Sequence, residues 1–216
     1  MSIPTADTVK VSLMLGMIFK RIFDLIASAV ALTILAPLIL VLGIAVWLSS
    51  PGPIIFKHRR VGMDGKYIKV FKFRTMTDGA EALGRETTGT NDPRITRLGG
   101  YLRRTKLDEL PQLVNVLCGQ MSLVGPRPEI PFYVERYCED DRVVLTMRPG
   151  ITDLSTLAMA DLDSIMQSRG TASAAEFYER EVLPRKLALQ RQYIAERTFF
   201  GDISILIRTM FRIICR

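Results

Sequence analysis

From Ile22 to Leu48 the chain is dominated by apolar residues, and Asp24 is the single charge in the run. A stretch of this kind predicts a membrane segment rather than a surface helix. At 1.5 Å per residue, about 27 helical residues reach roughly 40 Å, more than a hydrocarbon core of roughly 30 Å, so length alone does not distinguish crossing from turning back. Pro37 sits in the middle, where it removes a helix donor and kinks the axis. Both flanks are basic, with Lys20 and Arg21 before the run and Lys57, Arg59 and Arg60 after it. Trp47, near the end, suits a membrane interface. These features predict a re-entrant hairpin over residues 20–50, broken at Pro37, with both ends facing the cytoplasm. A spanning helix that tolerates one proline is the alternative. Met1 to Gly16 is mixed in character and has no small-residue cleavage site, so residues 1–19 read as a leader.

Beyond the breaker cluster Ser49-Ser50-Pro51-Gly52-Pro53 the periodicity changes. Ile54–Val61 and Tyr67–Phe73 are β-branched and aromatic and are separated by Gly62-Met63-Asp64-Gly65, which predicts a β-hairpin. Gly79 to Asp92 is polar and reads as a loop able to close over a ligand. A helix is expected from about Arg94 through Leu117, ended by Gly119. Another follows from Ala174 to Arg197, broken at Pro184. The tail from Asp202 to Arg216 is amphipathic, with Ile203, Leu206, Ile207, Met210, Phe211, Ile213 and Ile214 mainly on one side and Arg208, Arg212 and Arg216 on the other. Such a tail suits a bilayer interface with arginines toward anionic headgroups, or a core helix with a solvated basic face. The fold class expected is α+β, mainly helical: a membrane anchor, a short hairpin, and a cytoplasmic domain over residues 51–216 with interfacial amphipathic helices.

Composition sharpens this reading. A net charge of +7 is combined with 48% apolar residues and a positive mean hydropathy of +0.20, which favours a membrane surface over nucleic acid as partner. Nucleic-acid binding also calls for stacking aromatics among basic clusters, and aromatics make up only 8% of the chain. Cys118, Cys138 and Cys215 form neither a disulfide framework nor a zinc site by spacing. His58 is the only histidine, which leaves little material for Ser-His-Asp or Cys-His chemistry.

The candidate chemistry is carboxylate chemistry. Leu107-Asp108-Glu109-Leu110-Pro111-Gln112 follows Arg103, Arg104 and Lys106. On a helix, adjacent side chains point about 100° apart, so Asp108 and Glu109 can reach one ligand while holding different roles. One carboxylate can accept a phosphoryl group as nucleophile, and the other can hold Mg²⁺ against a diphosphate. A solvated, salt-bridged helix face fits the same spacing. Lys72-Phe73-Arg74, Arg94–Arg97, Gly125-Pro126-Arg127-Pro128 and Arg148-Pro149-Gly150 supply cations suited to phosphate oxygens.

In order along the chain, several segments resemble the bacterial sugar transferase family, the monotopic phosphoglycosyl transferases. They are Lys20-Arg21-Ile22-Phe23-Asp24, Ser50-Pro51-Gly52-Pro53-Ile54, Lys72-Phe73-Arg74-Thr75-Met76, Asp92-Pro93-Arg94-Ile95-Thr96-Arg97-Leu98-Gly99, Leu107 to Gln112, Met121 to Pro128, and Arg148-Pro149-Gly150-Ile151-Thr152. The resemblance implies the re-entrant anchor, a site on the cytoplasmic face of the bacterial inner membrane, and transfer of a sugar 1-phosphate from a UDP-sugar to polyprenyl (undecaprenyl) phosphate. It implies Asp108 as the nucleophile that carries a covalent phosphosugar and Glu109, with Asp108, as Mg²⁺ ligand. Lys72, Arg74, Arg103, Arg127 and Arg148 are then the substrate contacts, and anionic lipids and a second copy of the chain are partners to expect. No second membrane bundle is expected. Many members read Gly-Trp-Ala-Gln where this chain has Asp153-Leu154-Ser155-Thr156, and an acidic residue where it has Gln120; these departures bear on sugar identity more than on reaction type. The competing function class is a non-catalytic, membrane-anchored lipid-binding scaffold, which the basic amphipathic tail alone allows.

Overall fold

The computed structural model describes residues 6–80, 92–159 and 176–215. Most of the loop expected over Gly79–Asp92 and the start of the helix expected from Ala174 therefore lie outside the described residues. The first element, α1, is a single helix over Ala6–Ser49. Two expectations change here. The segment taken as a leader is already helical from Ala6, and the helical backbone continues through Pro37 instead of breaking there. Proline removes one donor and crowds the preceding turn, but residues on either side still bond along the helix, and Thr33 returns its hydroxyl to Ala29 O at 2.9 Å.

One side of α1 docks on the rest of the chain along most of its length. Phe23, Ala27, Ala31, Leu32 and Leu35 pack on a core that includes Val70, Leu113, Val116 and Met121. Ile39, Leu42 and Val46 pack with Phe73 and Leu102. The spacing of three and four residues is that of one helix face. Ile22, Ile26, Val30, Ile34, Val41 and Leu48 form an exposed stripe on another side. Between the stretches that dock through residues 23–35 and 39–46, coverage is thin around Pro37, where residues 36–38, 40 and 41 are all exposed.

Polar contacts fasten residues 20–24 of this helix and its C-terminal end to the same body. Asp24, buried within the apolar run, accepts from Ser122 Oγ at 2.7 Å and from the Leu123 amide at 3.3 Å. Lys20 donates to Asp202 Oδ2 at 2.5 Å, and Arg21 donates to Val116 O and Met121 O at 2.8 and 3.2 Å. At the other end Arg74 reaches Pro53 O at 2.6 Å, Val46 O at 3.2 Å, and both the carbonyl and hydroxyl of Ser50. The last carbonyls of a helix lack intrahelical donors, and a buried guanidinium supplies several at once.

The hairpin forms as its alternation predicts. Strands β1 (Ile55–Val61) and β2 (Tyr67–Phe73) pair antiparallel, with Ile55 opposite Phe73 and Val61 opposite Tyr67. Asp64 and Gly65 take positive φ in the turn, as that sequence allows. The helix expected over Arg94–Leu117 is instead two: α2 (Arg97–Thr105) and α3 (Gln112–Leu117), joined by a 3-10 turn over Leu107–Glu109. Thr96 caps α2 by accepting from the Gly99 amide at 2.9 Å. A side chain on Gly99 is excluded, because its Cβ would stand 2.0 Å from Thr75 O. Gly119, at φ 79°, ends α3 as expected.

A second pair was not foreseen from the sequence. β3 (Ser122–Val124) runs parallel to β4 (Gly150–Thr152), in elements too short to show any period. The approach is close enough that a Cβ on Gly150 would lie 2.2 Å from Gly125 N. Short helices α4 (Pro131–Val134) and α5 (Leu154–Ala158) follow their respective strands. Pro184 does not break a helix but stands in the first turn of α6 (Leu183–Glu196), after a π-helical turn over Tyr178–Val182.

The last helix, α7 (Phe199–Ile214), is apolar on two sides. Asp202 and Ile205 are buried against the body, whereas Phe200 (81% exposed), Ile207 and Phe211 point away from it. Arg212 does not stay on a separate basic face: it donates to Leu157 O at 2.7 Å. Phe199 meets Phe19 and Phe23 of α1 edge-on at 5.1 and 5.4 Å, so the outward faces of α1 and α7 adjoin.

Arg74→Ala should uncap the end of α1 and leave buried carbonyls unpaired. A loss of roughly 3 kcal/mol is expected, read as a lower melting temperature in detergent, with Arg74→Lys recovering part of it. An unchanged melting temperature for the alanine variant would contradict the capping role.

Candidate active site

The break between α2 and α3 creates the site. Lys106 takes a left-handed conformation at φ 57°, which a side-chain-bearing residue adopts at a cost of about 1–2 kcal/mol. The chain consequently leaves α2, and the 3-10 turn carries Asp108 and Glu109 inward. Asp108 is 6% exposed, and its Oδ1 has no hydrogen-bond partner in the protein. A buried carboxylate oxygen left unpaired is costly unless a ligand, ion or reacting group uses it.

Glu109 has the opposite environment. Its carboxylate accepts from Lys72 Nζ at 2.8 Å and from both terminal nitrogens of Arg127, one of them at 3.2 Å. Burial pushes the Glu109 carboxyl up, but Arg127 and then Lys72 outweigh it and hold the group well below the usual range. For Asp108, burial and then the neighbouring Glu109 charge raise the pKa, while Lys72, Lys106 and Arg103 pull less strongly the other way. The two adjacent carboxylates are thus driven apart in acidity. One is a fixed anion between two cations, and the other is a raised-pKa carboxylate with an unused oxygen.

The cations are positioned by separate elements. Lys72 comes from β2, with its pKa lowered by burial against the opposing pull of Glu109. Arg127 follows β3, where its amide donates to Asp153 Oδ2 at 3.2 Å and its guanidinium to Ile151 O at 2.9 Å. Asp153 also caps α5 through the Thr156 amide at 2.6 Å, and Gln190 ties Asp153 Oδ2 to Arg127 O. Arg103 donates to Thr75 Oγ1 at 2.8 Å and lies close enough to Asp108 for its charge to favour the ionised form.

Of the residues singled out in the sequence, Asp108, Glu109, Lys72, Arg103 and Arg127 converge. Two others go elsewhere. Arg74 serves the end of α1, and Arg148 Nε donates to Gly119 O at 2.9 Å, at the end of α3. Among the anchor residues, Lys20 and Arg21 are fastened to the body, while Pro37 and Trp47 are exposed. Sequence reasoning did not single out Gln190 or Glu129, and it noted Asp153 only as a departure from the family pattern. Asp153 had a readable signal, an Asp three residues before a free helix amide, whereas nothing local marks Gln190 or Glu129.

Glu129 is buried beside Lys72 and Arg127. It accepts from Arg60 at 3.0 Å, from Lys186 at 2.6 Å, and from Tyr178 at 2.5 Å. Burial works to raise its pKa, but Lys186 and Arg60 prevail and bring it down to about 2. A cavity of about 190 Å³ lies between this network and the Lys72–Arg127 pair.

No group of three or more His, Cys, Asp or Glu suited to a metal occurs among the described residues. Mg²⁺ does not require one: it takes one or two carboxylates and completes its shell with substrate phosphate and water. Asp108, with its unpartnered oxygen, fits that donor set; Glu109, whose oxygens already accept from Lys72 and Arg127, fits it only on releasing one of those cations to the substrate.

The sequence aligns with curated relatives of consistent description. It is 38% identical over 200 residues to the UDP-glucose:undecaprenyl-phosphate glucose-1-phosphate transferase of Escherichia coli, covering 90% of this chain and 40% of that protein. It is 40% identical over 207 residues to the undecaprenyl-phosphate glucose phosphotransferase of Komagataeibacter xylinus, covering 91% and 36%. The exopolysaccharide production protein ExoY of Rhizobium meliloti is 35% identical over 211 residues, covering 91% and 85%. The chain therefore spans about two fifths of the length of the first two relatives and most of the third. A sequence model of the family described as bacterial sugar transferase matches residues 15–216, and the chain belongs to that family.

Proposed function

We propose that this protein transfers a sugar 1-phosphate from a UDP-sugar to a polyprenyl phosphate at the cytoplasmic face of the bacterial inner membrane. The observation that carries the reading is the split pair: Asp108 buried with an unpartnered oxygen beside Glu109 pinned by Lys72 and Arg127. Relatives described as undecaprenyl-phosphate glucose and galactose phosphotransferases support the class of acceptor and donor.

In the first half-reaction an Asp108 oxygen forms a bond to the phosphorus bearing the sugar. The bond from that phosphorus to the bridging oxygen breaks, and UMP leaves with the electron pair. In the second, an oxygen of the lipid phosphate attacks the same phosphorus and the aspartyl bond breaks, giving polyprenyl diphosphosugar and the free carboxylate. Lys72, Arg103 and Arg127 set cationic donors around the diphosphate, where charge on the equatorial and leaving oxygens is stabilised. Glu109 orients two of these cations. Asp108, and Glu109 where a cation turns from it to the diphosphate, would hold Mg²⁺, which would supply further charge neutralisation when bound.

We also infer that α1 is a re-entrant anchor. Asp24 and Val46 are separated by about 33 Å of helix if it is straight, yet the residues around both dock on the same body. A helix covered along one side by a polar domain is poorly suited to crossing a bilayer alone. Its exposed apolar stripe, the thin coverage around Pro37, and the adjoining outward face of α7 favour insertion from one side. Anionic headgroups would then meet the basic flanks. A lipid-binding scaffold would share the anchor but has no use for a buried carboxylate left unpaired.

Asp108→Asn should lower UMP release from a UDP-sugar by at least about a thousandfold, because the neutral amide is a poor nucleophile. Wild-type release by that variant would sink the mechanism. Cysteines introduced near Lys20 and near Lys57 should both be labelled from the cytoplasmic side; labelling of one only from outside would show a spanning helix.

A further inference from the structure

The cavity beside the site has a chemistry of its own. Lys72 and Arg127, which hold Glu109, also line it, so it opens directly off the place where the diphosphate would sit. Farther in stand Arg60, Lys186 and the rings of Tyr133 and Tyr178, whose centroids are 5.1 Å apart. Gln112 lines the same cavity, is 2% exposed, and has an amide nitrogen with no partner in the protein. A turn of the Gln112 side-chain amide toward the cavity would bring it to an occupant and pair that nitrogen.

Size and hydrogen-bonding capacity narrow the occupant. About 190 Å³ is small beside the several hundred Å³ of a pocket that encloses a whole drug-sized ligand, so it suits one ring. The single carboxylate in its wall is already saturated. Glu129 accepts from Arg60 and the Ile130 amide on one oxygen and from Tyr178 and Lys186 on the other. The charged groups free to meet an occupant are therefore donors, from Arg60 and Lys186, and Gln112 adds a primary amide that donates or accepts. A uracil ring would have to place the N–H between its carbonyls on the Gln112 carbonyl alone, because the filled Glu129 accepts no more. Hexose hydroxyls can each accept, and the tyrosine rings can pack on the C–H face of a sugar.

We propose that the cavity bounded by Gln112, Tyr178, Lys186 and Arg60 is the subsite for the hexose ring of the donor and discriminates among sugars, with Glu129 fixing its cationic wall. This rests on the transferase reading, and it adds which side of the diphosphate the cavity serves. Gln112 supplies a direct donor to a ring oxygen, and Tyr178 positions both the wall and Glu129.

The test is equilibrium binding, which does not depend on which residue is the nucleophile. Two ligands with a methylene bridge between the phosphorus atoms, and so resistant to cleavage, are compared: one carrying glucose and one ending as the UDP analogue. In the wild type the sugar should strengthen binding. In Gln112→Met and Tyr178→Phe, each checked for an unchanged melting temperature, that advantage should fall roughly tenfold while affinity for the sugarless ligand stays within about twofold. The glucose-to-galactose preference in binding should shift with it. Equal weakening for both ligands would assign the cavity to the nucleoside side and overturn the proposal. So would an unchanged sugar advantage in both variants, or no sugar advantage in the wild type. Failure of the transferase mechanism would register separately, as UMP release by Asp108→Asn.

Discussion

Glu109 is an anion inside the protein, gripped by Lys72 from the hairpin and by Arg127 from the segment after β3. Removing such charges from water costs several kcal/mol each unless they are matched, and here the match joins elements far apart in sequence. The pairing fixes where Lys72 and Arg127 stand, and Asp153 and Gln190 reinforce Arg127 from behind. It also leaves Asp108 as the one carboxylate of the pair with a free oxygen. Its neighbour's negative charge then adds to burial in raising its pKa, while Lys72, Lys106 and Arg103 limit the rise. Differentiation of two adjacent acids, rather than the presence of either one, gives the site a carboxylate with a free oxygen, the nucleophile of the proposed mechanism, and a fixed anchor for cations.

The same body that builds the site also fastens α1. Lys20, Arg21 and Asp24 bind at the end near β3 and α7, and Arg74 binds the other end. Lys72 lies on β2 and Arg74 directly after it, so the strand that carries a cation of the candidate site leads straight into the residue that holds α1. This arrangement places the outward apolar faces of α1 and α7 together through Phe19, Phe23 and Phe199. Under the proposed transfer, one phosphorus would be presented first to a soluble donor and then to a lipid phosphate, and that rigid coupling would serve both steps.

Much of this was legible in the residues. The hairpin followed from β-branched alternation around Gly62-Met63-Asp64-Gly65, and the apolar run from its length. The Asp108–Glu109 dyad and three of its five cationic candidates, Lys72, Arg103 and Arg127, came from charge and motif order. What stayed hidden depends on tertiary contact. Lys106 breaks the helix by adopting a left-handed backbone that its identity does not favour, so a continuous helix was the natural reading of Arg94–Leu117. Arg74 and Arg148 look like phosphate ligands in sequence but are taken by backbone carbonyls. β3 and β4 are three residues each and carry no period. Pro37 predicts disruption, yet the helix runs through it, because the flanking turns and the docked face support the backbone where one donor is missing.

The central claim is that the unpaired oxygen of Asp108 becomes bonded to phosphorus. Incubating the protein with a UDP-sugar alone, quenching in acid, and mapping peptides by mass spectrometry tests it most directly. The account predicts a hexose-phosphate mass increment on the peptide carrying Asp108, which disappears when polyprenyl phosphate is added before the quench. Turnover with no such increment under any quench, or an increment on a different residue, would contradict it.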